Sequence, residues 1–218
     1  MTSIRSFIRD LISPSKFITV VSGLPRSGTS MMMSALEKGG MGLVVDHIRT
    51  ADANNPRGYY EFERVKKLPE GDVDWLVSAN GKAVKIISAL LTYLPEDYHY
   101  RVIFMERDLE EILASQNRML ERNSIIQQSP LSEDELARSF DVHLSEVKYW
   151  LETQETQDLI QTLYVSYNRV LCQPKVEFGL IAKFLDGKVD PDSMAQVVDP
   201  SLHREKSLIE RQTLNEQK

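Results

Sequence analysis

The sequence predicts a single α/β domain with three layers, in which a central, mostly parallel sheet carries helices on both faces. Three observations support this fold class. Apolar segments of strand length alternate with helical patterns along the chain, which is typical of parallel strands joined by crossover helices. A glycine-containing loop joins the first such strand to a helix. The length of 218 residues fits one domain with a large core.

Four segments have the length and composition of buried strands. They are Phe17–Val21, Ala83–Ile87, Arg101–Met105 and Leu163–Ser166. Apolar residues recur at helical spacing after Arg107, and this pattern predicts the clearest helix of the chain. Ser132 and Glu135 form a capping-box pattern that begins a second long helix, which we expect to end near Glu155. An N-terminal arm of about residues 1–16 and a loose tail of about 204–218 flank the domain.

Composition excludes several classes of protein. The net charge of −6 argues against a broad nucleic-acid surface, and no apolar segment is long enough to span a bilayer. The N-terminus has no pattern of a secretory signal, and the single cysteine suits a reducing compartment, so we expect a cytoplasmic protein. The four histidines do not fall at metal-ligand spacing, and we therefore expect no metal site.

The loop after the first strand, GLPRSGTS, has the glycine spacing of a phosphate-binding Walker A loop at Gly23 and Gly28. Thr29 occupies the position of the Walker lysine, which a phosphoryl-transfer enzyme uses to stabilise the transferred phosphoryl group. Arg26 is the alternative cation, because a guanidinium can donate two hydrogen bonds to one anion. The helix that begins at Thr29 adds its N-terminal backbone donors. The sequence therefore predicts a P-loop-type anion site that needs no metal.

This loop resembles the phosphosulfate-binding loop of sulfotransferases that use 3′-phosphoadenosine 5′-phosphosulfate (PAPS), and the arginine is most similar to tyrosylprotein and bacterial members. The resemblance implies that PAPS is the sulfuryl donor and adenosine 3′,5′-bisphosphate (PAP) the product. It also implies that Arg26 lies near the sulfuryl group and that the loop binds the 5′-phosphate. The loop residues concerned are Arg26, Ser27, Gly28, Thr29 and Ser30.

A second motif resembles the 3′-phosphate site of the same family. Arg107 follows a predicted strand, and Ser115 lies eight residues further along the predicted helix. A later segment, VSYNRVLCQP, resembles the turn in which a tyrosine lies near the adenine, so Tyr167 is a candidate for that role. Asn168 and Arg169 replace two acids of that turn. In the C-terminal segment, a loose match suggests Arg204 as a further phosphate contact.

Sulfuryl transfer needs a cation near the leaving oxygen and a base for the proton of the acceptor. Lys85 resembles the strand-end lysine of cytosolic members, but Ile86 and Ile87 stand where those members have threonine and histidine. The base must therefore come from elsewhere. His47, which lies 21 residues after Arg26, and Glu61 are the two main candidates, and Asp46 is a third.

The segment NPRGYYE resembles part of bacterial sulfotransferases, which implies that Arg57, Tyr59 and Tyr60 line the acceptor cleft. Three functional classes stay open: a sulfotransferase, a P-loop kinase or nucleotide hydrolase, and a non-catalytic nucleotide-binding protein. The sequence does not choose between a small-molecule, glycan or peptide acceptor with a hydroxyl or amine. It also leaves the oligomeric state undecided.

Overall fold

The structure is a computed structural model, and it describes residues 17–49, 52, 58–122 and 132–199. Its four strands are β1 (Ile18–Gly23), β2 (Ala83–Lys85), β3 (Tyr100–Glu106) and β4 (Ile160–Ser166). The α-helices are α1 (Thr29–Lys38), α2 (Leu76–Ala79), α3 (Leu109–Arg122), α4 (Glu133–Thr156), α5 (Tyr167–Cys172), α6 (Pro174–Phe184) and α7 (Pro191–Ala195). Two 3-10 helices span Glu63–Glu70 and Ser88–Tyr93.

The four strands form one parallel sheet in the order β2-β1-β3-β4. After β1 the chain goes to one neighbour, β2, and then crosses to β3 on the other side of β1. The strand order therefore reverses at β1, and the crevice outside the carboxyl ends of the strands at such a reversal is the usual ligand site of open α/β sheets. The glycine loop follows β1 at this edge, and Arg107 follows β3.

Side chains on the two faces of the sheet belong to two separate cores, as the alternation of a strand requires. Val21 and Ile103 pack with buried residues of α1, α6 and α7 on one face. Val20 and Val102 pack with buried residues of α2, α4 and the two 3-10 helices on the other. β1 is buried along its whole length because it is covered on both faces. The predicted three-layer fold with a parallel central sheet is confirmed.

The predicted strands are close to those observed, with shifts at their ends. β1 continues two residues beyond Val21, to Gly23, and β4 begins three residues earlier than predicted. β2 ends at Lys85, although the apolar sequence continues. The backbone N–H of Ile86 still bonds to Val21, but Ile87 leaves the sheet, is 44 % exposed and precedes a 3-10 helix. Apolar sequence alone does not mark where a strand leaves its neighbour.

The long helix begins as its sequence predicts. Ser132 is the N-cap of α4, and its side chain and that of Glu135 form the complete capping box. The N-terminal arm, the C-terminal tail, Arg57 and Arg204 lie outside the described residues. Among the helices of the described part, none combines the length and the apolar character that crossing a bilayer requires.

Candidate functional site

A cleft of about 470 Å³ opens at the carboxyl edge of the sheet. Each strand contributes to it at its end: β1 through the glycine loop, β2 through Lys85, β3 through Arg107 and β4 through Tyr167. The predicted site residues that line the cleft are Arg26, Gly28, Thr29, Ser30, Glu61, Lys85, Arg107, Ser115 and Tyr167. Ser27 and His47 do not line it.

The loop after β1 is tight and depends on two glycines. Gly23 has φ of 142°, and a Cβ there would lie 2.6 Å from the carbonyl oxygen of Met105. Gly28, the N-cap of α1, has φ of 101°. Arg26 between them is also left-handed, with φ of 71°, an uncommon and strained conformation for a residue with a side chain. Such strain is a recurrent feature of functional loops.

The N-terminus of α1 faces the cleft with its own donors. Gly28, Thr29 and Ser30 line the cleft, and no side chain caps the helix at Gly28. The first N–H groups of a helix have no intrahelical acceptor, so this end favours an anion. Ser27 is 1 % exposed, and its hydroxyl has no hydrogen-bond partner within the described residues. The donors that face the cleft are therefore the backbone N–H groups at the N-terminus of α1.

The two phosphate-type motifs contact each other. The Nε of Arg26 donates to the hydroxyl of Ser115 at 3.0 Å, across 89 residues of sequence. In return, Nη1 of Arg107 donates to the carbonyl of Arg26 at 3.1 Å. Burial lowers the pKa of the Arg26 guanidinium. The glycine loop and the beginning of α3 therefore form one wall of the cleft.

Tyr167 packs against both motifs. Its ring lies so close to Gly28 that a Cβ there would be 2.5 Å from its Cδ2. The guanidinium of Arg107 lies 4.4 Å above the centre of the same ring, which is a cation–π distance. Burial raises the pKa of Tyr167. The tyrosine is a cleft-lining aromatic surface between the two motifs.

A buried carboxylate lies behind Arg107. Nε of Arg107 donates to Oε2 of Glu111 at 2.8 Å, and the two side chains are 8 % and 0 % exposed. Nδ2 of Asn168 donates to Oε1 of Glu111 at 3.1 Å. Asn168 lies in α5, 57 residues away from Glu111 along the chain, so no local sequence pattern indicates this contact.

Lys85 is the buried cation on the opposite side of the loop. Its side chain is 8 % exposed, and its ammonium donates to the carbonyl of Tyr59. Burial lowers the pKa of Lys85 to about 8, and the carboxylate of Glu61 at 3.6 Å acts in the opposite direction. Near neutral pH the ammonium form still predominates.

Glu61 lies in a small polar network. Its Oε1 is 3.1 Å from Nη1 of Arg49, whose guanidinium stacks 3.4 Å from the centre of the Tyr59 ring. The hydroxyl of Ser30 donates to the carbonyl of Tyr59, which ties this segment to α1. Arg49 and Glu61 both line the cleft. Sequence reasoning missed Arg49, because its neighbours 46–50 form no recognisable motif.

The other candidate bases lie differently. His47 is exposed, is left-handed with φ of 56° and does not line the cleft. Asp46 uses its two carboxylate oxygens to accept from the backbone N–H groups of Ile48 and Glu63, so it holds the loop together. Of the two neighbouring tyrosines, Tyr59 lines the cleft, whereas Tyr60 does not and donates to Glu37.

Apolar residues surround the Lys85 side of the cleft. Phe62 follows Glu61, and Ile87 follows the end of β2, so the two polar groups are each flanked by cleft-lining apolar side chains. Val65 and Leu90, from the two 3-10 helices, complete this wall. Within residues 17–49, 52, 58–122 and 132–199, no group of three or more His, Cys, Asp or Glu is arranged to hold a metal ion.

No protein-family model matches the sequence, and no curated protein matches it. Solved structures with a similar chain path include the sulfotransferase domain of the Synechococcus PCC 7002 olefin synthase, at 16 % identity and a TM-score of 0.48, covering 87 % of this chain and 83 % of that one. Sulfotransferase STF9 from Mycobacterium avium matches at 14 % identity and a TM-score of 0.45, over 93 % and 73 % of the two chains.

Mouse sulfotransferase SULT7A1, solved in complex with PAP, matches at 16 % identity and a TM-score of 0.41, over 87 % of this chain and 64 % of that one. These solved chains are all sulfotransferases, the family that the two phosphate motifs resemble. The likeness is loose, with TM-scores below 0.5, and the function of this chain is argued from the geometry of its own site.

Proposed function

We propose that this protein is a sulfotransferase that moves a sulfuryl group from PAPS to the hydroxyl or amine of an acceptor. The contact between the two phosphate-type motifs carries the proposal. Arg26 and Ser115 are hydrogen-bonded across 89 residues, and both line one cleft with Arg107. A ligand with two phosphate groups on one nucleoside matches two phosphate-type motifs that adjoin each other in one cleft.

The residues present fit this donor. The N-terminus of α1 and the glycine loop suit a 5′-phosphate, because they offer backbone donors without a side-chain cap. Arg107 and Ser115 suit a 3′-phosphate, and the cleft-lining ring of Tyr167 suits an adenine. The close approach of Gly28 to Tyr167 leaves no space for a Cβ, so the loop and the ring form a continuous surface.

When bound, PAPS supplies the sulfuryl group, whose bond to the phosphate oxygen breaks as a bond to the acceptor forms. Arg26 and Lys85 are the cations that we assign to the charge on the leaving side, since both line the cleft and flank the helix N-terminus. Both are partly desolvated, which strengthens their electrostatic effect on a neighbouring anion.

We assign the base to Glu61 in preference to His47. Glu61 lines the cleft 3.6 Å from Lys85, whereas His47 is exposed outside it. In this assignment the carboxylate of Glu61 takes the proton that the acceptor hydroxyl or amine loses. Arg49 at 3.1 Å orients the carboxylate.

The walls near Glu61 favour an acceptor with an apolar body. Phe62, Val65, Ile87 and Leu90 line the cleft on this side, so a reactive hydroxyl near Glu61 would be accompanied by apolar surface. A sugar-like acceptor would leave its hydroxyls against these side chains without partners, which costs free energy. An aliphatic or aromatic alcohol is therefore the first acceptor class to test.

The first experiment is a calorimetric and thermal-shift titration with PAP, adenosine 5′-monophosphate (AMP) and ATP with magnesium. A ligand at a hundredfold excess over its dissociation constant stabilises the folded state by about 2.7 kcal/mol, which is easily measured. We expect the largest stabilisation from PAP without metal. Stronger stabilisation by ATP with magnesium would contradict the proposal and indicate a P-loop kinase or hydrolase.

The second experiment separates an enzyme from a non-catalytic binding protein. PAPS labelled in the sulfuryl group is incubated with a panel of apolar alcohols, sugars, amines and a tyrosine peptide. We expect transfer of label to at least one apolar alcohol. Tight binding of PAP with no labelled product from any acceptor, and no slow hydrolysis of PAPS, would favour the non-catalytic alternative.

A further inference from the structure

We propose that Glu111 and Asn168 are positioning residues for Arg107, which fix its guanidinium at the cleft wall, beside the proposed 3′-phosphate site. The inference rests on the proposed function, because it assigns a role to residues behind the arginine that would bind the 3′-phosphate. Neither residue lines the cleft. Both would act through Arg107.

The geometry fixes the arginine through two of its nitrogens and one face. Nε donates to Glu111 at 2.8 Å, and Nη1 donates to the carbonyl of Arg26 at 3.1 Å. The guanidinium plane also contacts the ring of Tyr167, 4.4 Å from its centre. A long side chain that would otherwise sample several rotamers is therefore held in one place before any ligand arrives, which lowers the entropic cost of binding.

Asn168 donates a hydrogen bond to the carboxylate of Glu111, which in turn accepts one from Arg107. Oε2 of Glu111 accepts from Arg107 and Oε1 accepts from Asn168, so both carboxylate oxygens have a donor. The side chain of Glu111 is 0 % exposed, so these donors replace the water that a carboxylate loses on burial. An amide also fixes the rotation of the carboxyl group, and through it the direction of the Nε bond.

A second arginine–carboxylate pair, of which only the carboxylate is buried, shows what a purely structural role looks like. Arg169 contacts the buried carboxylate of Glu177 at 2.6 Å, but the arginine side chain is 64 % exposed and neither residue lines the cleft. It joins α5 to α6. This pair provides a matched control, because shortening Glu177 perturbs an arginine–carboxylate contact without reaching the site.

The test compares dissociation constants of PAP and AMP by calorimetry for the wild-type chain and for two variants. These are Glu111→Asp and Asn168→Ala, with Glu177→Asp and the exposed surface change Asn80→Ala as controls. Shortening Glu111 removes the contact that positions Arg107, so we expect about a tenfold loss of PAP affinity in Glu111→Asp. We expect a smaller loss in Asn168→Ala.

Selectivity is the readout that a merely structural role would not change. AMP lacks the 3′-phosphate, so its affinity should fall much less than that of PAP in both variants, and both controls should keep the wild-type ratio. Equal losses for the two ligands, or an unchanged ratio in Glu111→Asp, would overturn the inference. If the wild-type chain itself does not prefer PAP over AMP, the proposed function fails instead.

Discussion

The two ends of the cleft are built from different kinds of structure. The phosphate end consists of the glycine loop, Arg107 and Ser115, which lie at the ends of β1 and β3 and on the helix that follows. The transfer end combines Lys85, at the end of β2, with Arg49, Tyr59 and Glu61, three residues that lie outside the helices and strands. Strands and helices position the residues of the phosphate end, whereas contacts between side chains position those of the transfer end.

This difference has a consequence for chemistry. We expect the phosphate end to bind anions because backbone donors, a helix N-terminus and two arginines converge there, although one of them, Arg107, is paired with the buried carboxylate of Glu111. At the transfer end the carboxylate of Glu61 lies 3.6 Å from the buried ammonium of Lys85, whose pKa of about 8 makes the charge there sensitive to pH. We therefore expect mutations at the two ends to separate ligand binding from turnover.

The largest expected effect is at the phosphate end. Arg26→Ala removes the guanidinium that contacts Ser115 and faces the cleft, and we expect sulfuryl transfer to fall by about a thousandfold, as when a donor to a developing charge is removed. The measurement is initial-rate turnover of PAPS at saturating acceptor. The control is Arg64→Ala, which removes an exposed arginine paired with Asp72 outside the cleft. Turnover within tenfold of wild type in Arg26→Ala would contradict the assignment.

The second effect distinguishes the candidate bases. Glu61→Gln should lower turnover by about a hundredfold or more while leaving PAP affinity within a few-fold of wild type, since general-base catalysis contributes that much. His47→Ala, outside the cleft, should change neither quantity by more than about twofold.

The comparison is made well below the pKa of Lys85 of about 8, at the acidic end of the level part of the pH profile, because Glu61→Gln removes the carboxylate that favours the charged lysine and so lowers that pKa further. A large loss of turnover in His47→Ala with normal turnover in Glu61→Gln would reverse the assignment. Normal turnover in both variants would show that neither Glu61 nor His47 is the catalytic base.

The sequence predicted the phosphate end better than the transfer end, for a physical reason. The first motif is predicted by features that lie close together in the sequence: the glycine spacing, an arginine and the start of a helix. The second motif is predicted in the same local way, by an apolar strand pattern followed by Arg107 and Ser115. The parallel sheet then brings the two together without any further information. Their roles in binding stay predictions, but their convergence on one cleft is observed.

At the transfer end, the spacing of His47 and Glu61 from Arg26 did not indicate which would face the cleft. Asp46 binds two backbone N–H groups and turns the chain, which leaves His47 exposed, and Arg49 pairs with Glu61. Such contacts depend on tertiary packing, and no local pattern encodes them. The partnership of Glu111 with Asn168 was invisible for the same reason.

The third effect is a pH dependence that belongs to the transfer end. Lys85 must be protonated to stabilise a leaving anion, and it loses its proton as pH rises through about 8. We therefore expect kcat/KM for PAPS to be level below that pH and to fall about tenfold per pH unit above it. Lys85→Arg should move this decline to higher pH, because a guanidinium stays charged.

In the profile of kcat, the decline should begin at higher pH, since a bound anion favours the charged lysine. The control is Lys82→Arg, an exposed lysine on the same segment that does not line the cleft. An unchanged alkaline decline in Lys85→Arg would assign the ionisation to another group.

The smallest expected effect concerns stability and tests the contact between the loop and Tyr167. Gly28→Ala places a Cβ 2.5 Å from the ring of Tyr167, at a backbone φ of 101°. Gly81→Ala is the matched control, because Gly81 has φ of 75° but has no atom within 4 Å of the added Cβ. Backbone strain alone predicts a loss of about 1 kcal/mol in the free energy of unfolding for Gly81→Ala.

We expect Gly28→Ala to lose about 1–3 kcal/mol more, because the ring is buried and held under Arg107 and cannot move away without disturbing that contact. Urea denaturation of both variants measures the difference. Since Tyr167 would shift, the same change should also weaken PAP binding, whereas Gly81→Ala should not. Equal losses of stability in the two variants would show that the loop tolerates displacement of the ring, and that the phosphate end is less rigid than its contacts imply.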